Sequence, residues 1–497
     1  LKKILLIYPP ILLSKTERPA ITTPIGVAYV AAVAERAGFS VTILDSLAEG
    51  EWKSEKLSRD LYYWGLSYKE IKERIEAEKP DLVGIGCQFT LQYMPSKEIA
   101  RIVKEVDPKI VTVMGGTHST VMCREILEKE PYIDYVVRSE GEYAFTDLLE
   151  RLRDGRPIDD IDGFAFRKDG VVHLNEKRQF IANLDDLPFP ARHLLRMDVY
   201  GNTELKRGWG INRRAPKANM ITSRGCPFDC SFCGIALNTG KKMRGHSPEY
   251  VVAEIEELIS KYGIKEVHFE DDNLTLNKQR SKQIFDLIVE KGLDISWAAP
   301  SGLAIWTFND DVLEKMKASG CYRVNLGLES GSDHVLKKII KKPITTKTIR
   351  EKIALVKKHG LEITGFWVIG MPGETRSQMW ETLDFASSLG LDDNQVAVAL
   401  PYPGTELYDT CKEKGYLAFN QKDEKSYEHF SISSALIRTP DFTPTDVIAI
   451  RDAGRFFAII KKAGRAAIPG RVIELFKRNG LGGFKVAWVV LKKYFVS

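Results

Sequence analysis

The sequence predicts an α/β protein with an N-terminal doubly wound parallel sheet (residues 1–152), a linker with a hairpin (153–215), a partial (β/α)6 barrel (216–416) and a C-terminal helical extension (417–497). Three observations predict it. Short apolar runs alternate with helix-patterned stretches through the first 150 residues, the alternation resumes after a turn-rich interval, and basic charge gathers at the end. A length of 497 residues leaves room for two to four domains, and 44% hydrophobic with 28% charged residues is a composition that builds a packed core.

In the first region the strand-like runs are 4–7, 41–44, 82–85, 110–113 and 135–137, with helical stretches such as 26–37 and 96–106 between them. Short buried strands joined by helices make a parallel sheet covered on both faces. Ligands of such sheets sit outside the carboxyl ends of the strands. Those ends carry Tyr8-Pro9-Pro10, Cys87-Gln88-Phe89-Thr90, Gly115-Gly116-Thr117-His118 and Arg138-Ser139-Glu140-Gly141-Glu142. Gly115 and Gly116 would let the backbone approach a bulky ligand. A tight turn explains the pair equally well.

Lys168-Asp169-Gly170 and the Leu184 to Pro190 stretch mark the hairpin and the linker. Six further strand-helix units follow, with strands at 220–222, 266–269, 295–298, 323–328, 362–369 and 395–400, and helices such as 248–262, 278–290, 310–318 and 345–358. Six units leave a barrel open on one side, with catalytic loops expected at its carboxyl-terminal rim.

Cys226-Pro227-Phe228-Asp229-Cys230-Ser231-Phe232-Cys233 follows the first of these strands and puts three thiols on one short loop. Thiolates suit iron-sulfur clusters and zinc. A structural zinc site would need a fourth ligand; His246 is thirteen residues beyond Cys233, and no second Cys-x-x-Cys or His-x-x-x-His completes a finger. Three cysteines on a cluster leave one iron open to a small molecule. Seven cysteines is an odd count for a disulfide framework, and Cys87, Cys123, Cys321 and Cys411 read as core residues.

Cys226-x-x-x-Cys230-x-Phe232-Cys233 resembles the signature of the radical S-adenosylmethionine (SAM) enzymes, and the likeness runs through about the first 415 residues. It implies that Cys226, Cys230 and Cys233 hold a [4Fe-4S] cluster, that SAM chelates the open iron, and that the reduced cluster cleaves SAM to a 5′-deoxyadenosyl radical. It also implies SAM contacts at Phe232, at Glu270, Asp271 and Asp272 for the amino group, at Glu329 and Ser330 for the ribose and carboxylate, and at Gly370 beside the adenine. Solvated turn carboxylates, a helix cap and a strand-end turn are the plain readings of these three segments.

Pro9-Pro10, Pro24 to Ala31, Gly115 to His118 and Ser139 to Glu142 together resemble the cobalamin-binding domain of the cobalamin-dependent radical SAM enzymes. The implied cobalamin contacts are Tyr8, Pro9, Gln88, Thr90, Gly115, Gly116, Thr117, His118, Glu140, Gly141 and Glu142. Residues 88–92 are placed toward the lower face of the corrin. The Asp-x-His-x-x-Gly motif that supplies a lower cobalt ligand in other cobalamin proteins is absent after the first strand, and His118 is weighed as a substitute against a hydrogen-bonding loop histidine.

What the resemblance implies is cobalamin-dependent C-methylation of an unactivated carbon on a hydrophobic small molecule or lipid, with flavodoxin or ferredoxin as electron donor. Radical cyclisation, ring contraction or oxidation is the alternative within the family, and a non-catalytic cluster or corrinoid carrier the alternative outside it. Pro300-Ser301-Gly302 stands where many members carry an Arg, a variant that resembles members acting on terpenoids or tetrapyrroles. No general base is assigned.

No apolar run reaches the 18 residues of a spanning helix, and the basic start breaks off at Pro9-Pro10 without a cleavage site, so a cytoplasmic protein is expected. Residues 441–497 hold 11 Lys and Arg against 4 Asp and Glu, a net +7 in a chain of +5. Phe456, Phe457, Phe476, Trp488 and Tyr494 interleave them. A helical cap on the barrel and peripheral contact with an anionic membrane are the two readings. Nucleic acid is disfavoured because no RRM or KH signature accompanies the charge.

Overall fold

The computed structural model describes residues 1–14, 17, 19, 22–51, 53–58, 61–200, 212–420, 423–431 and 434–463. The N-terminal sheet has seven strands, in the order Val171–Leu174, Phe164–Lys168, Tyr135–Val137, Val111–Gly115, Leu82–Gly86, Lys3–Tyr8 and Ser40–Asp45. The last five are parallel; the hairpin turning at Asp169-Gly170 adds two antiparallel strands. The expected linker hairpin is thus the far edge of this sheet.

Side chains alternate across a strand, and Lys3–Tyr8 divides them accordingly. Ile4 and Leu6 pack with Ala28, Ala31, Phe145 and Leu148 of the helices Ile25–Arg36 and Glu142–Asp154. Leu5 and Ile7 pack with Ile71, Ile99 and Cys123 of Tyr68–Glu78, Tyr93–Val106 and Thr117–Lys129. Both faces are covered. Lys3–Tyr8 lies between Ser40–Asp45 and Leu82–Gly86, so strand order reverses there and opens a crevice beyond Tyr8 and Gly86. A three-stranded antiparallel sheet, Ile11–Ser14, Leu61–Trp64 and Ser54–Lys56, stands beside that edge. Its strands are too short to show a periodicity, and the sequence did not announce it.

The segment leading to the barrel is clamped from inside. Arg192 is 3% exposed; its Nη2 lies 2.6 Å from Glu254 Oε1, on the helix Pro248–Tyr262, and donates to the Asn219 carbonyl at 2.9 Å.

Six parallel strands follow in sequential order: Lys217–Met220, Glu266–Phe269, Ser296–Leu303, Cys321–Glu329, Glu362–Ile369 and Asp393–Val398. Among the described residues the first and last do not pair with each other, which is the open barrel the six units predict. Trp297 fills the core between Phe269, edge-on at 5.3 Å, and Phe285, stacked at 5.1 Å. Ser247, Asn277, Asn309, Thr345 and Thr375 each accept a backbone N–H at the start of an outer helix, which ends each rim loop at a fixed residue.

Between 417 and 443 the described residues are less helical than expected. The described residues of 417–443 contain one short helical turn, Glu424–His429; Tyr427 within it and Phe430 just after it pack on the N-terminal sheet. The helix Pro444–Ala463 lies on the barrel through Val447 and Ile450, as a cap does. Residues 464–497, with Trp488 and most of the basic charge, lie outside the described residues. Among the described residues no helix is long and apolar enough to cross a membrane.

Candidate active site

The cysteine loop is tied down at every turn. Gly225 has φ of 87°, and a Cβ there would come within 2.4 Å of the Lys242 carbonyl oxygen. Only glycine fits. The Cys226 amide donates to the Gly240 carbonyl at 3.3 Å, and Ser231 donates through its amide to Ile340 and through Oγ to Ile339, at 3.1 and 2.8 Å. All three cysteines are partly buried and free, whereas Cys87, Cys123, Cys321 and Cys411 are buried, as core residues should be. Burial pushes all three thiol pKa values up, that of Cys233 to about 12. A bound cationic metal would ionise them. Three partly buried thiols on one pinned loop are a soft donor set of the kind a metal cluster takes.

The acidic motif after Glu266–Phe269 splits into three tasks. Asp271 is 1% exposed and accepts hydrogen bonds from the Thr222 amide and Oγ1 at 3.1 and 2.7 Å and from Ser223 Oγ. It holds the base of the cysteine loop, so it is not free for an amino group. Glu270 stays at the rim, accepting from Ser301 Oγ at 2.5 Å and from Asn219. Ser301 belongs to the Pro300-Ser301-Gly302 segment, which stands where many members of the family it resembles carry an Arg. Asp272 faces the loop, and burial together with the charge of Asp271 pushes its pKa up to about 6.

Across the rim, Glu329 has φ of 63° and meets Lys342 Nζ at 2.7 Å. A Cβ at Gly327 would come within 2.7 Å of Glu329 Oε1 and 2.9 Å of Lys342 Nζ, so the glycine makes room for the pair. Lys342 also lies 5.7 Å from the ring centroid of Trp306, which Phe228 of the cysteine loop meets edge-on at 5.1 Å. Its charge acts on Cys226 and Cys230, against the effect of burial. Ser330 is turned away: its Oγ lies 2.9 Å from Thr382 Oγ1 and accepts from the Ser332 amide. Gly370, with φ of 87°, has Val447 where a Cβ would be, at 2.9 Å. Its amide and that of Met371 donate to Glu374 Oε2 at 2.7 and 3.0 Å, and burial raises the Glu374 pKa to about 7. Phe232 is half-buried against the barrel core.

At the sheet edge, Tyr8 is half-buried and Gln88 exposed, while Pro9 and Thr90 are buried. Gln92 shapes the loop, its Oε1 accepting from the Gln88 and Phe89 amides at 3.0 Å each. Gly116 has φ of 119°, and a Cβ there would stand 2.6 Å from the Cys87 carbonyl oxygen; at Gly115 the nearest atom is 3.8 Å away. Thr117 begins the helix Thr117–Lys129 and is half-buried. His118 lies behind this edge, with Nδ1 3.1 Å from Thr90 Oγ1 and the rings of Tyr93 and Tyr427 at 5.3 and 5.6 Å. Burial lowers its pKa to about 3, and its Nε2 has no hydrogen-bond partner.

A radical SAM superfamily model matches residues 220–386, and a B12 binding domain model matches residues 14–149. An uncharacterized methyltransferase of Pyrococcus horikoshii is 38% identical over 82% of this chain and 82% of its own length. The chain belongs to the cobalamin-dependent radical SAM methyltransferase family. The cytidylyl-2-hydroxyethylphosphonate methyltransferase of Streptomyces wedmorensis is 31% identical over 90% of this chain and 88% of its own length. Of solved structures, the radical SAM methyltransferase TsrM of Kitasatospora setae superposes with a TM-score of 0.65 at 19% identity, covering 83% of this chain and 75% of that one. The cobalamin-dependent SAM radical enzyme OxsB superposes at 0.69 and 15%, covering 99% and 73%. In this radical SAM enzyme the cofactors are a [4Fe-4S] cluster, SAM and cobalamin.

Several expected contacts take other partners in the structure. Glu140 and Glu142 were expected on cobalamin, yet their carboxylates meet Arg224 and Arg244, which flank the cysteine loop. Burial favours a neutral Glu142, but the charge of Arg224 prevails and holds its carboxyl below the ordinary pKa. Asp271 and Ser330 are likewise committed to protein groups. Conversely, sequence reasoning missed Lys342, because a lysine beside Lys341 ahead of Pro343 reads as ordinary surface charge.

Proposed function

We propose that this enzyme methylates an unactivated carbon of a small molecule whose reacting end is apolar. The observation carrying the reading is the meeting of two cofactor modules: the N-terminal Ser139 donates its Oγ to the carbonyl of Leu237, on the helix Ile235–Thr239 that follows the cysteine loop, at 3.1 Å. When bound, the cluster supplies the electron that cleaves SAM and cobalamin supplies the methyl group. Cys226, Cys230 and Cys233 hold the cluster. Lys342 and Glu329 face a zwitterion, the ammonium taking its carboxylate and the carboxylate its hydroxyls or amine. Phe228 and Trp306 form an apolar wall that keeps water from the radical. The modules are assigned as 1–152, whose sheet the hairpin strands Phe164–Lys168 and Val171–Leu174 complete, and 216–416.

Two SAM are consumed per product. One gives up its methyl and leaves as S-adenosylhomocysteine; the other leaves as methionine and 5′-deoxyadenosine, which carries off the hydrogen that the methyl replaces. A flavodoxin or ferredoxin supplies the two electrons that balance the two sulfonium charges. The relatives in Streptomyces wedmorensis and Methylococcus capsulatus, the latter named a hopanoid C-3 methylase, bracket a polar and a lipid substrate. The apolar wall of Phe228 and Trp306 and the Pro300-Ser301-Gly302 variant favour the second kind.

Anaerobically reconstituted enzyme given SAM and dithionite should release 5′-deoxyadenosine and S-adenosylhomocysteine, and Cys230→Ala should release no deoxyadenosine. Deoxyadenosine without S-adenosylhomocysteine would overturn methyl transfer. Labelled methionine fed to cells with and without the gene, with lipid mass spectrometry, identifies the substrate.

A further inference from the structure

Four charged side chains sit where the sheet meets the barrel, each between 4% and 9% exposed: Glu140, Glu142, Arg224 and Arg244. Arg224 Nη2 lies 2.5 Å from Glu142 Oε1 and its Nη1 3.4 Å from Glu140 Oε1. Arg244 grips Glu140 with both nitrogens, at 2.8 and 2.9 Å, and also donates to the carbonyls of Ile181 and Thr239. Arg224 lies 5.2 Å from the ring centroid of Tyr29, on the helix Ile25–Arg36. The carboxylates sit at the carboxyl end of a sheet strand, where the cobalamin module keeps its ligand loops. The arginines pair across a two-residue ladder, Ser223 with Gly245 and Arg224 with Arg244, that closes the cysteine loop.

Buried ion pairs add little net stability, because desolvation consumes most of the attraction; what they fix is geometry. Here the geometry links the two halves of the active site. Ser139, one residue upstream of Glu140, holds φ of 61° while bonding to Leu237, so the same loop touches both ends of the cysteine segment. The second oxygen of Glu142 is buried without a hydrogen-bond partner, so Arg224 is its one anchor among the hydrogen bonds described.

We propose that this four-residue ionic junction positions the cysteine loop against the sheet and thereby sets the separation of cluster and corrin. Glu140, Glu142, Arg224 and Arg244 are positioning residues that touch neither substrate nor reacting atoms. The proposal rests on the cobalamin-dependent reading above, and the measurement separates the two. In the reduced holoenzyme, cob(II)alamin and the [4Fe-4S]+ cluster each carry an unpaired spin, and their dipolar coupling reports the distance between them. The wild-type enzyme should show one resolved coupling; if it shows no cob(II)alamin signal, the functional reading fails and the junction goes with it. Given a wild-type coupling, Glu142→Gln with full cluster and corrin content should lose the resolved splitting, and amides of residues 225–245 should exchange about 10-fold faster. A Glu142→Gln enzyme with wild-type splitting and exchange overturns the proposal. Should that variant not accumulate folded, Ser139→Ala, which removes one neutral hydrogen bond, is read the same way: a broadened coupling supports the junction and an unchanged one overturns it.

Discussion

The barrel rim and the edge of the N-terminal sheet are both sites at the carboxyl ends of parallel strands, and they are built from different materials. At the rim, side chains do the work: Glu270, Asp272, Glu329 and Lys342 surround the loop of three thiols, with Glu270 held by Ser301 and Glu329 by Lys342. At the sheet edge the backbone does it. Gly115 leaves space, Gly116 turns the chain under Cys87, and the carboxylates that a reader would assign to a ligand are spent on the neighbouring module. A small zwitterion needs placed charges, whereas a large flat cofactor needs surface and clearance.

The contrast makes predictions, in descending size. Lys342→Met removes the one cation paired with Glu329 among the described residues; SAM affinity should fall about 10- to 100-fold, since a hydrogen bond to a charged group contributes about 1.5–3 kcal/mol. Calorimetric titration of the reconstituted enzyme decides it, and an unchanged Kd would remove Lys342 from the site. Glu374→Gln should stabilise the protein in alkaline buffer. The folded Glu374 pKa of about 7 exceeds its ordinary 4.5, so the native state holds the proton longer and the stability it confers is lost as pH rises through that window. The variant lacks that slope. Its advantage should be near zero at about pH 4 and approach at most about 3 kcal/mol at about pH 8, read from thermal melts.

At the sheet edge, Gly116→Ala forces a methyl group against the Cys87 carbonyl at a positive φ and should cost about 1–3 kcal/mol of stability and weaken cobalamin retention. Cobalamin binding at wild-type strength would show that backbone clearance is not what this edge supplies. Ser301→Ala deletes one hydrogen bond to Glu270, a loss of about 1 kcal/mol, and should change SAM affinity less than Lys342→Met does.

The two regions also differ in how far the sequence reveals them. Short continuous apolar runs located the parallel strands of both sheets, because a strand buried on both faces has little choice of residue. The cysteine spacing located the cluster loop, because a chelating loop fixes the intervals between its ligands. Within a motif, however, spacing does not say which way a carboxylate turns. Asp271 and Asp272 are neighbours in the chain, yet one closes the loop from inside and the other faces the thiols. Glu140 and Glu142 carried a family pattern whose physical partner, Arg224, lies more than eighty residues away. Lys342 is recognisable only after folding brings it to Trp306 and Glu329. The small sheet beside Trp64 is made of strands too brief for any periodicity to register.

The clamp on Arg192 has a practical meaning. Were the barrel produced by itself from Lys217 onward, Glu254 would keep its place in the interior with its counter-ion gone, and a lone buried anion is among the costliest things a fold can carry. Sheet and barrel are therefore not interchangeable cassettes, and a chimera that grafts a foreign corrinoid module onto this barrel must bring the strap bearing Arg192 along with it.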